Sequence, residues 1–266
     1  MLDDYGDTVS IAERPPGRIV SLDPATTAML FAMGDGARLV GRTRWDTYPP
    51  AVIAVPSVGD GLRPNVEAVL ARQPDLIVLY ASSDDRAAAR AFRHAGVATV
   101  SLRVDQVRDF DRSLALLGRV VGDSVGAAAV ADSVARTIAG VRRATARLPR
   151  VTVAWPVEAS PLRVIGGGSY LDELITDAGG DNVYSSVREP SPQVSIEDLL
   201  RRDPDVVFAS PSLAQSIRND PAWRSWTTDR RHRLMVPDTS LVGMPSVRMG
   251  EAAAQLAALL HPSGDR

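Results

Sequence analysis

Two stretches of this chain are copies of one another. PNVEAVLARQPDLIVLYAS at Pro64–Ser82 and VSIEDLLRRDPDVVFAS at Val194–Ser210 align so that Glu67 falls on Glu197, Leu70 on Leu200, Arg72 on Arg202, Pro74 on Pro204 and Asp75 on Asp205, at an offset of 130 residues. An interval of about half the chain is too long for a solenoid repeat and fits a duplicated domain of ordinary size. Each copy reads as a short helix followed by a buried strand. Asn65 or Ser195 can cap the helix, and the glutamate sits in its first turn. Val66, Val69 and Leu70, like Ile196, Leu199 and Leu200, give an apolar face at helical spacing. Pro74 and Pro204 forbid continuation. The apolar runs Leu76–Tyr80 and Val206–Ala209 then suit strands covered on both faces, as in a parallel sheet between helices.

The totals exclude several classes. The 266 residues are 45 % hydrophobic and 23 % charged, an ordinary globular balance. A net charge of −2 gives no basic footprint for nucleic acid. The absence of cysteine removes disulfides, thiolate metal sites and a Cys nucleophile from this chain. No apolar run reaches the roughly 18–20 residues of a membrane helix, so no membrane insertion is expected. Met1–Glu13 is acidic and lacks a charged-then-apolar export signal, so either such a signal has been removed or the protein stays inside the cell.

Strand and helix signals alternate through both halves, which predicts an α/β fold of two Rossmann-like lobes with mostly parallel sheets. The N-terminal lobe is expected over 17–104, a linking region over 105–148, and the C-terminal lobe over 149–266. Met1–Pro16 is expected to be a frayed or edge segment. Arg18–Leu22, Leu39–Val40, Leu76–Tyr80 and Val97–Leu102 read as strands of the first half, with helices over Thr26–Met33 and Asp84–His94. Ser124 can cap a helix over Val125–Arg147 of about 23 residues, about 34 Å long, a stiff connector between the halves. The second half restarts with a strand at Val151–Trp155. A capped helix over Tyr170–Ala178, a strand at Val183–Tyr184, the second repeat copy, a strand at Leu234–Val236 and a closing helix over Val247–Leu260 follow.

Enzyme signatures are missing. There is no P-loop, dinucleotide fingerprint or Gly-x-Ser-x-Gly elbow. Gly166–Gly168 before a helix start can cradle a phosphate or simply make a tight turn. His94, His232 and His261 are scattered, which does not suit a histidine metal site. No catalytic residue, metal or cofactor is therefore assigned. What remains is loop chemistry, since ligands of α/β sheets bind outside the carboxyl ends of the strands. Trp45, Tyr48, Asp60, Arg63, Tyr80, Arg103, Trp155, Arg188 and Met244 are placed there. In a two-lobed protein those ends can face one another across a cleft. The set suits a large, flat, partly apolar ligand with polar or anionic edges.

RIVSLDPATTAMLFAM at Arg18–Met33, WDTYPP at Trp45–Pro50, the Pro64–Tyr80 stretch, GGSYLDELITDAGGDNV at Gly167–Val183 and PQVSIEDLL at Pro192–Leu200 resemble the periplasmic binding proteins of cobalamin and ferric-siderophore importers. The likeness spans about residues 17–261 and is strongest to the cobalamin-binding members. It implies a rigid, monomeric two-lobed binder that holds its ligand in the inter-lobe cleft and feeds an ATP-driven (ABC) permease, outside the cytoplasm. It also implies that one glutamate per lobe docks on permease arginines; Glu67 and Glu197 match those positions. Tyr48 matches an aromatic of the cobalamin site, and Trp45 and Tyr80 fall where aromatics stand. The chain departs from that pattern at Gly59–Arg63 and at Ser191, where tryptophans are absent. Arg63, Arg103 and Arg188 suit instead the carboxylate, catecholate or propionate groups of a siderophore or haem. On the resemblance, the expected ligand is a corrinoid first, a ferric siderophore second and haem third. A chelatase-like enzyme and a cytoplasmic ligand sensor are the readings of other classes.

Overall fold

A computed structural model describes residues 1–9 and 14–262. The chain divides into two compact units, residues 1–133 with 245–247 and residues 134–244 with 248–266. In the first unit β1 (Ile19–Ser21) leads to α1 (Pro24–Met33), β2 (Leu39–Gly41), α2 (Val66–Leu70), β3 (Leu76–Tyr80), α3 (Arg86–His94), β4 (Ala98–Leu102), α4 (Val107–Val121) and α5 (Ser124–Thr145). The boundary between the units falls within α5, whose 22 residues span about 33 Å. Asp123, not Ser124, caps it, accepting from the Gly126 amide at 2.8 Å.

The second unit runs β5 (Val151–Ala154), β6 (Pro156–Ala159), β7 (Leu162–Val164), α6 (Tyr170–Asp177), β8 (Gly180–Asn182), α7 (Ile196–Arg201), β9 (Val206–Phe208), α8 (Pro211–Asn219), α9 (Arg224–Thr228), β10 (Arg233–Met235), α10 (Thr239–Val242) and α11 (Met249–Leu260). Each unit holds a four-stranded, all-parallel sheet, ordered β2-β1-β3-β4 in the first and β8-β5-β9-β10 in the second. With the β6–β7 hairpin set aside, the strand order is the same in both: second, first, third, fourth.

The duplication extends to atoms. Asn65 Oδ1 accepts from the Ala68 amide at 3.0 Å, and Ser195 Oγ accepts from the Asp198 amide at 3.1 Å, so both predicted caps form. Gln73 and Asp203, which precede the paired prolines, are the two non-glycine residues with positive φ (50° and 46°) among the described residues. A residue before proline is pushed out of the right-handed helical region, and here the left-handed turn swings the chain straight into the strand. Asp75 then accepts from the Gly17 and Arg18 amides at 2.8 and 2.9 Å, and Asp205 accepts from the Thr152 amide at 3.0 Å and its hydroxyl at 2.7 Å. The repeated aspartate therefore ties the third strand of each sheet to the start of the first.

The cores match this plan. Val20, Leu22, Ile77 and Leu79 pack with Val69, Ala89 and Phe92 in the first unit. Ala154, Val207 and Ala209 pack with Leu199, Ala214, Ile217, Trp223 and Trp226 in the second. Both tryptophans of the 211–231 region are thus core, and Trp226 Nε1 donates to the Pro204 carbonyl at 2.9 Å.

Three expectations change. The strand expected at Val183–Tyr184 lies at Gly180–Asn182, and Tyr184 is buried instead as a core residue donating to Asp198. The β6–β7 hairpin carries too short an alternation to be read in advance. Of the segment 1–16, residues 10–13 lie outside the described part, but residues 1–9 are not frayed. Leu2 and Thr8 form an antiparallel bridge, and buried Asp3 accepts from Arg93 Nη2 at 2.8 Å and the Ser101 amide at 3.1 Å. Tyr5 donates its hydroxyl to the Ser82 carbonyl. Arg93 keeps its second partner, Asp7, at 2.5 Å, but the buried Ser101 amide loses its acceptor, so Asp3→Ala is expected to cost about 1–3 kcal/mol, read as a fall in the urea midpoint without a change in slope.

Candidate ligand-binding edges

In each all-parallel sheet the carboxyl ends of the strands share one edge. The sequence expects nine ligand residues there, six in the first unit and three in the second.

The loop after β2 is built around buried Asp46. Its Oδ2 accepts from both the amide and the hydroxyl of Thr43, each at 2.6 Å. Arg42 braces the same loop by donating to the carbonyls of Val52 and Val55 at 3.0 and 2.9 Å. This frame leaves Trp45 57 % exposed, an unusual place for a tryptophan that is not core. Tyr48, 37 % exposed, follows on the same loop. The Arg44 guanidinium lies 4.8 Å from the Trp45 ring centroid and pairs with Asp60 at 2.6 Å. The Leu62 amide, together with Arg44, holds the Asp60 carboxyl below its usual range. Gly61 makes this approach possible, because a Cβ there would meet the Leu22 carbonyl oxygen at 2.2 Å. Arg63 is exposed beside it. The structure thus brings Trp45 and Asp60 together through Arg44.

Burial drives the Asp46 carboxyl above its usual range, more than the Thr43 bonds restrain it. A raised folded value means that its stabilising contribution is full below the unfolded value, near pH 4, and is lost as pH rises through the folded one. Asp46→Asn keeps an acceptor for Thr43 and removes the titration. It is expected to shrink the stability gained on acidifying from pH 7 towards pH 4, measured by denaturant titration of both proteins across that range.

Tyr80 and Arg103 form a second group at the ends of β3 and β4. Tyr80, half-buried, donates its hydroxyl to Asp105 Oδ1 at 2.6 Å. Arg103 donates Nε and Nη2 to the Ala81 carbonyl at 3.2 and 2.6 Å, with Asp105 at 4.0 Å. Both side chains are already engaged, so Tyr80 offers its ring more than its hydroxyl. Arg44 and Asp105, the partners that organise these groups, are missed by the sequence reading, because their roles arise from contacts 16 and 25 residues away.

In the second unit Trp155 follows β5 but is only 6 % exposed, packed edge-on to Phe208 at 5.0 Å. Arg188 is exposed on the loop after β8. That loop is seated on Gly166 and Gly167, where a Cβ would meet the Glu189 and Ser185 carbonyl oxygens at 2.0 and 1.9 Å. The glycine cluster is therefore a close backbone crossing, with Gly167 donating its amide to Val187 at 2.8 Å. Met244, 39 % exposed, comes after α10. Between these elements lies a hollow of about 240 Å³, lined by Trp155, Val157, Tyr170, Pro237, Thr239 and Val242 among others. Tyr170 opens α6 and is missed by the sequence reading, which treats it as an ordinary first helical residue.

Glu67 and Glu197 are exposed in the first turns of α2 and α7. Hydrogen bonds from its own amide and from Ser195 keep the Glu197 carboxyl below its usual range. Among the described residues no group of three or more His, Asp or Glu side chains is placed to hold a metal ion, and no helix is long and apolar enough to cross a membrane.

Comparison with known proteins adds three findings. The sequence profile of the family described as periplasmic binding protein matches residues 19–239. The vitamin B12-binding protein of Vibrio vulnificus is 23 % identical over 222 residues, covering 84 % of this chain and 80 % of that protein, and an uncharacterised ABC transporter substrate-binding lipoprotein of Bacillus subtilis is 24 % identical over 271 residues, covering 98 % and 85 %. The crystal structure of a periplasmic haem-binding protein from Pseudomonas aeruginosa superposes with a TM-score of 0.79 at 24 % identity, covering 94 % of each chain.

Proposed function

From the premise that this chain belongs to the periplasmic binding protein family, we propose that it is the substrate-binding protein of an ABC importer for a metal chelate, and that the chelate is a corrinoid. Binding and delivery, not chemistry, are the role of such proteins. The observation that carries the reading is the exposed Trp45, backed by the Arg44–Asp60 pair at the carboxyl edge of the first sheet. An aromatic face flanked by a fixed ion pair suits a large flat ligand with polar edges. Tyr48, Arg63, Tyr80 and Arg103 complete that unit's contribution, and Trp155, Arg188 and Met244 form that of the second. Glu67 and Glu197 dock on basic residues of the permease, where paired charges set orientation. The protein works outside the cytoplasm as a monomer.

Of the two alternatives expected from the sequence, a ferric siderophore and haem, haem moves ahead as the second reading. The haem-binding structural neighbour and the two exposed arginines, Arg63 and Arg188, which suit propionates, favour it. The experiment is direct: the purified protein is mixed with cyanocobalamin, haemin or a ferric hydroxamate and desalted. Cyanocobalamin colour co-eluting with protein supports the corrinoid reading. Haemin or hydroxamate colour alone moves the ligand to that class, and a colourless protein with all three overturns the import role.

A further inference from the structure

The last turns of α5 carry a surface that neither the ligand nor the docking assignments use. From Ser133 to Val157 the sequence holds five arginines and no aspartate or glutamate. Val134, Ile138 and Thr145 are buried and Val141 is half-buried, so this line of the helix faces the protein. Arg136 and Arg143 lie on the opposite line, two turns or about 10 Å apart. Arg147 continues that line into the turn after the helix, and all three are exposed. Asp132, one turn before Arg136, marks where the basic line begins.

The other two arginines are turned to structure. Arg142 Nε donates to Asp177 Oδ1 at 2.8 Å, and Arg150 Nε donates to Asp181 Oδ1 at 2.9 Å. Thr145 Oγ1 donates to the Asp177 carbonyl at 3.0 Å, and the Leu148 amide to the Thr145 carbonyl at 2.9 Å. The 146–150 turn is therefore fixed from beneath. Asp177 and Asp181 are taken up by these ties, and Arg136, Arg143 and Arg147 make no ion pair among the described residues. Asp203, Asp205 and Asp229, just before β9 and β10, are likewise held, by His232, Thr152 and Arg231. Between Arg147 and Arg150 stands Leu148, 36 % exposed at the tip of the turn.

We propose that this end of α5 is a docking surface for an anionic lipid bilayer. Lipid phosphates pair with Arg136, Arg143 and Arg147, and Leu148 reaches the boundary between headgroups and acyl chains. A guanidinium binds phosphate through two parallel hydrogen bonds. An apolar side chain set among arginines gains from an interface and gains nothing from a soluble anion. The net charge of −2 does not prevent the contact. At about 0.1 M salt charges are screened beyond about 10 Å, so the bilayer feels the local arginines and not the total. The contact is peripheral, since no helix among the described residues is long and apolar enough to cross a membrane. The turn precedes β5, at the amino edge of the second sheet, so the edge assigned to ligand stays clear of lipid. The proposal does not depend on which ligand the protein carries.

The test is flotation of the whole protein with vesicles, either pure phosphatidylcholine or phosphatidylcholine with about one third phosphatidylglycerol. The expected result is binding to the mixed vesicles alone, falling steeply as salt rises from about 0.1 M to about 0.5 M. Arg136→Gln, Arg143→Gln and Arg147→Gln together are expected to weaken binding about 100-fold, each arginine near an anionic surface being worth roughly a factor of five. Leu148→Ser is expected to weaken it severalfold while leaving the salt dependence unchanged. Arg90→Gln, Arg218→Gln and Arg224→Gln together make the same change of charge on other exposed helix faces and are expected to bind within about twofold of wild type. Circular dichroism confirms that both triple variants are folded. Absence of binding to the mixed vesicles overturns the proposal, as does equal loss in the two triple variants. Displacement from the vesicles by soluble glycerophosphoglycerol at equal phosphate concentration overturns it in favour of a small-anion site. Binding of duplex DNA that is lost in the Arg136, Arg143 and Arg147 variant overturns it in favour of a general polyanion surface. Cyanocobalamin and haemin titrations of the same variants read the ligand site separately, so failure of either proposal leaves the other standing.

Discussion

Replacing Glu67 and Glu197 together by alanine is expected to leave ligand affinity within about twofold and to cut uptake through the cognate importer more than about 100-fold. The magnitude follows from what docking charges do. Truncating one partner of a hydrogen-bonded interfacial charge pair costs about 2–5 kcal/mol, and about 1.4 kcal/mol is a factor of ten, so two lost pairs exceed that bound. Folding is little affected. Each glutamate is exposed in the first turn of a short helix, where a favourable dipole interaction is worth about 0.3–1 kcal/mol. The caps themselves come from Asn65 and Ser195, which the substitutions leave in place. Uptake by whole cells, beside ligand titration of the same purified variant, separates the two effects. Uptake at wild-type level refutes the docking role; lost ligand binding shows instead that the helices support the site.

The second large effect is expected at Trp45. Trp45→Ala should weaken the chelate about tenfold or more, since stacking of a flat ring on an aromatic side chain is worth about 1–3 kcal/mol where it has been measured for bases. Stability should fall by less than about 1 kcal/mol, the contact with Arg44 being an exposed cation–π pair. Trp223→Ala provides the contrast. That ring is 4 % exposed in the second core, and its loss should cost about 3–5 kcal/mol of stability. Calorimetry and denaturant titration of both variants test the pair. Unchanged affinity in Trp45→Ala would move the ligand away from the β2 loop.

The contrast between these tryptophans marks what the sequence could and could not tell. Trp45 lies between turn residues with no apolar period around it, and it is exposed. Trp223 and Trp226 also lie in an irregular stretch, yet they are core, because the backbone around them is helical and the ring of Trp226 finds the Pro204 carbonyl 22 residues away. Local pattern sees the first fact and not the second. The duplication was legible in detail: cap, glutamate, proline, aspartate and buried strand recur at one offset, and the strand order of both sheets follows. Even the left-handed residues Gln73 and Asp203 sit at equivalent positions, although nothing in their identity announces it.

The missed features are long-range. Asp3 reads as part of an acidic, polar leader until Arg93 and Ser101 close on it. Gly166 and Gly167 read equally as an anion cradle or a turn, and only the position of the 185–190 loop shows why a side chain is forbidden there. Trp155 and Tyr170 carry no local sign that a hollow opens between them. At the first unit's edge, Trp45, Tyr48, Arg63 and Arg103 are exposed, while Asp60 and Tyr80 are half-buried. The pairing of Arg44 with Asp60 and of Tyr80 with Asp105 depended on how separate loops come together.

The measurement that bears most directly on the central claim is a calorimetric titration of the purified wild-type chain with cyanocobalamin. The expected result is a saturable isotherm with one site per chain, weakened about tenfold in Trp45→Ala and unchanged in the Glu67→Ala, Glu197→Ala double variant. A flat isotherm, with haemin and a ferric hydroxamate equally silent, would contradict the assignment of this chain as a metal-chelate carrier.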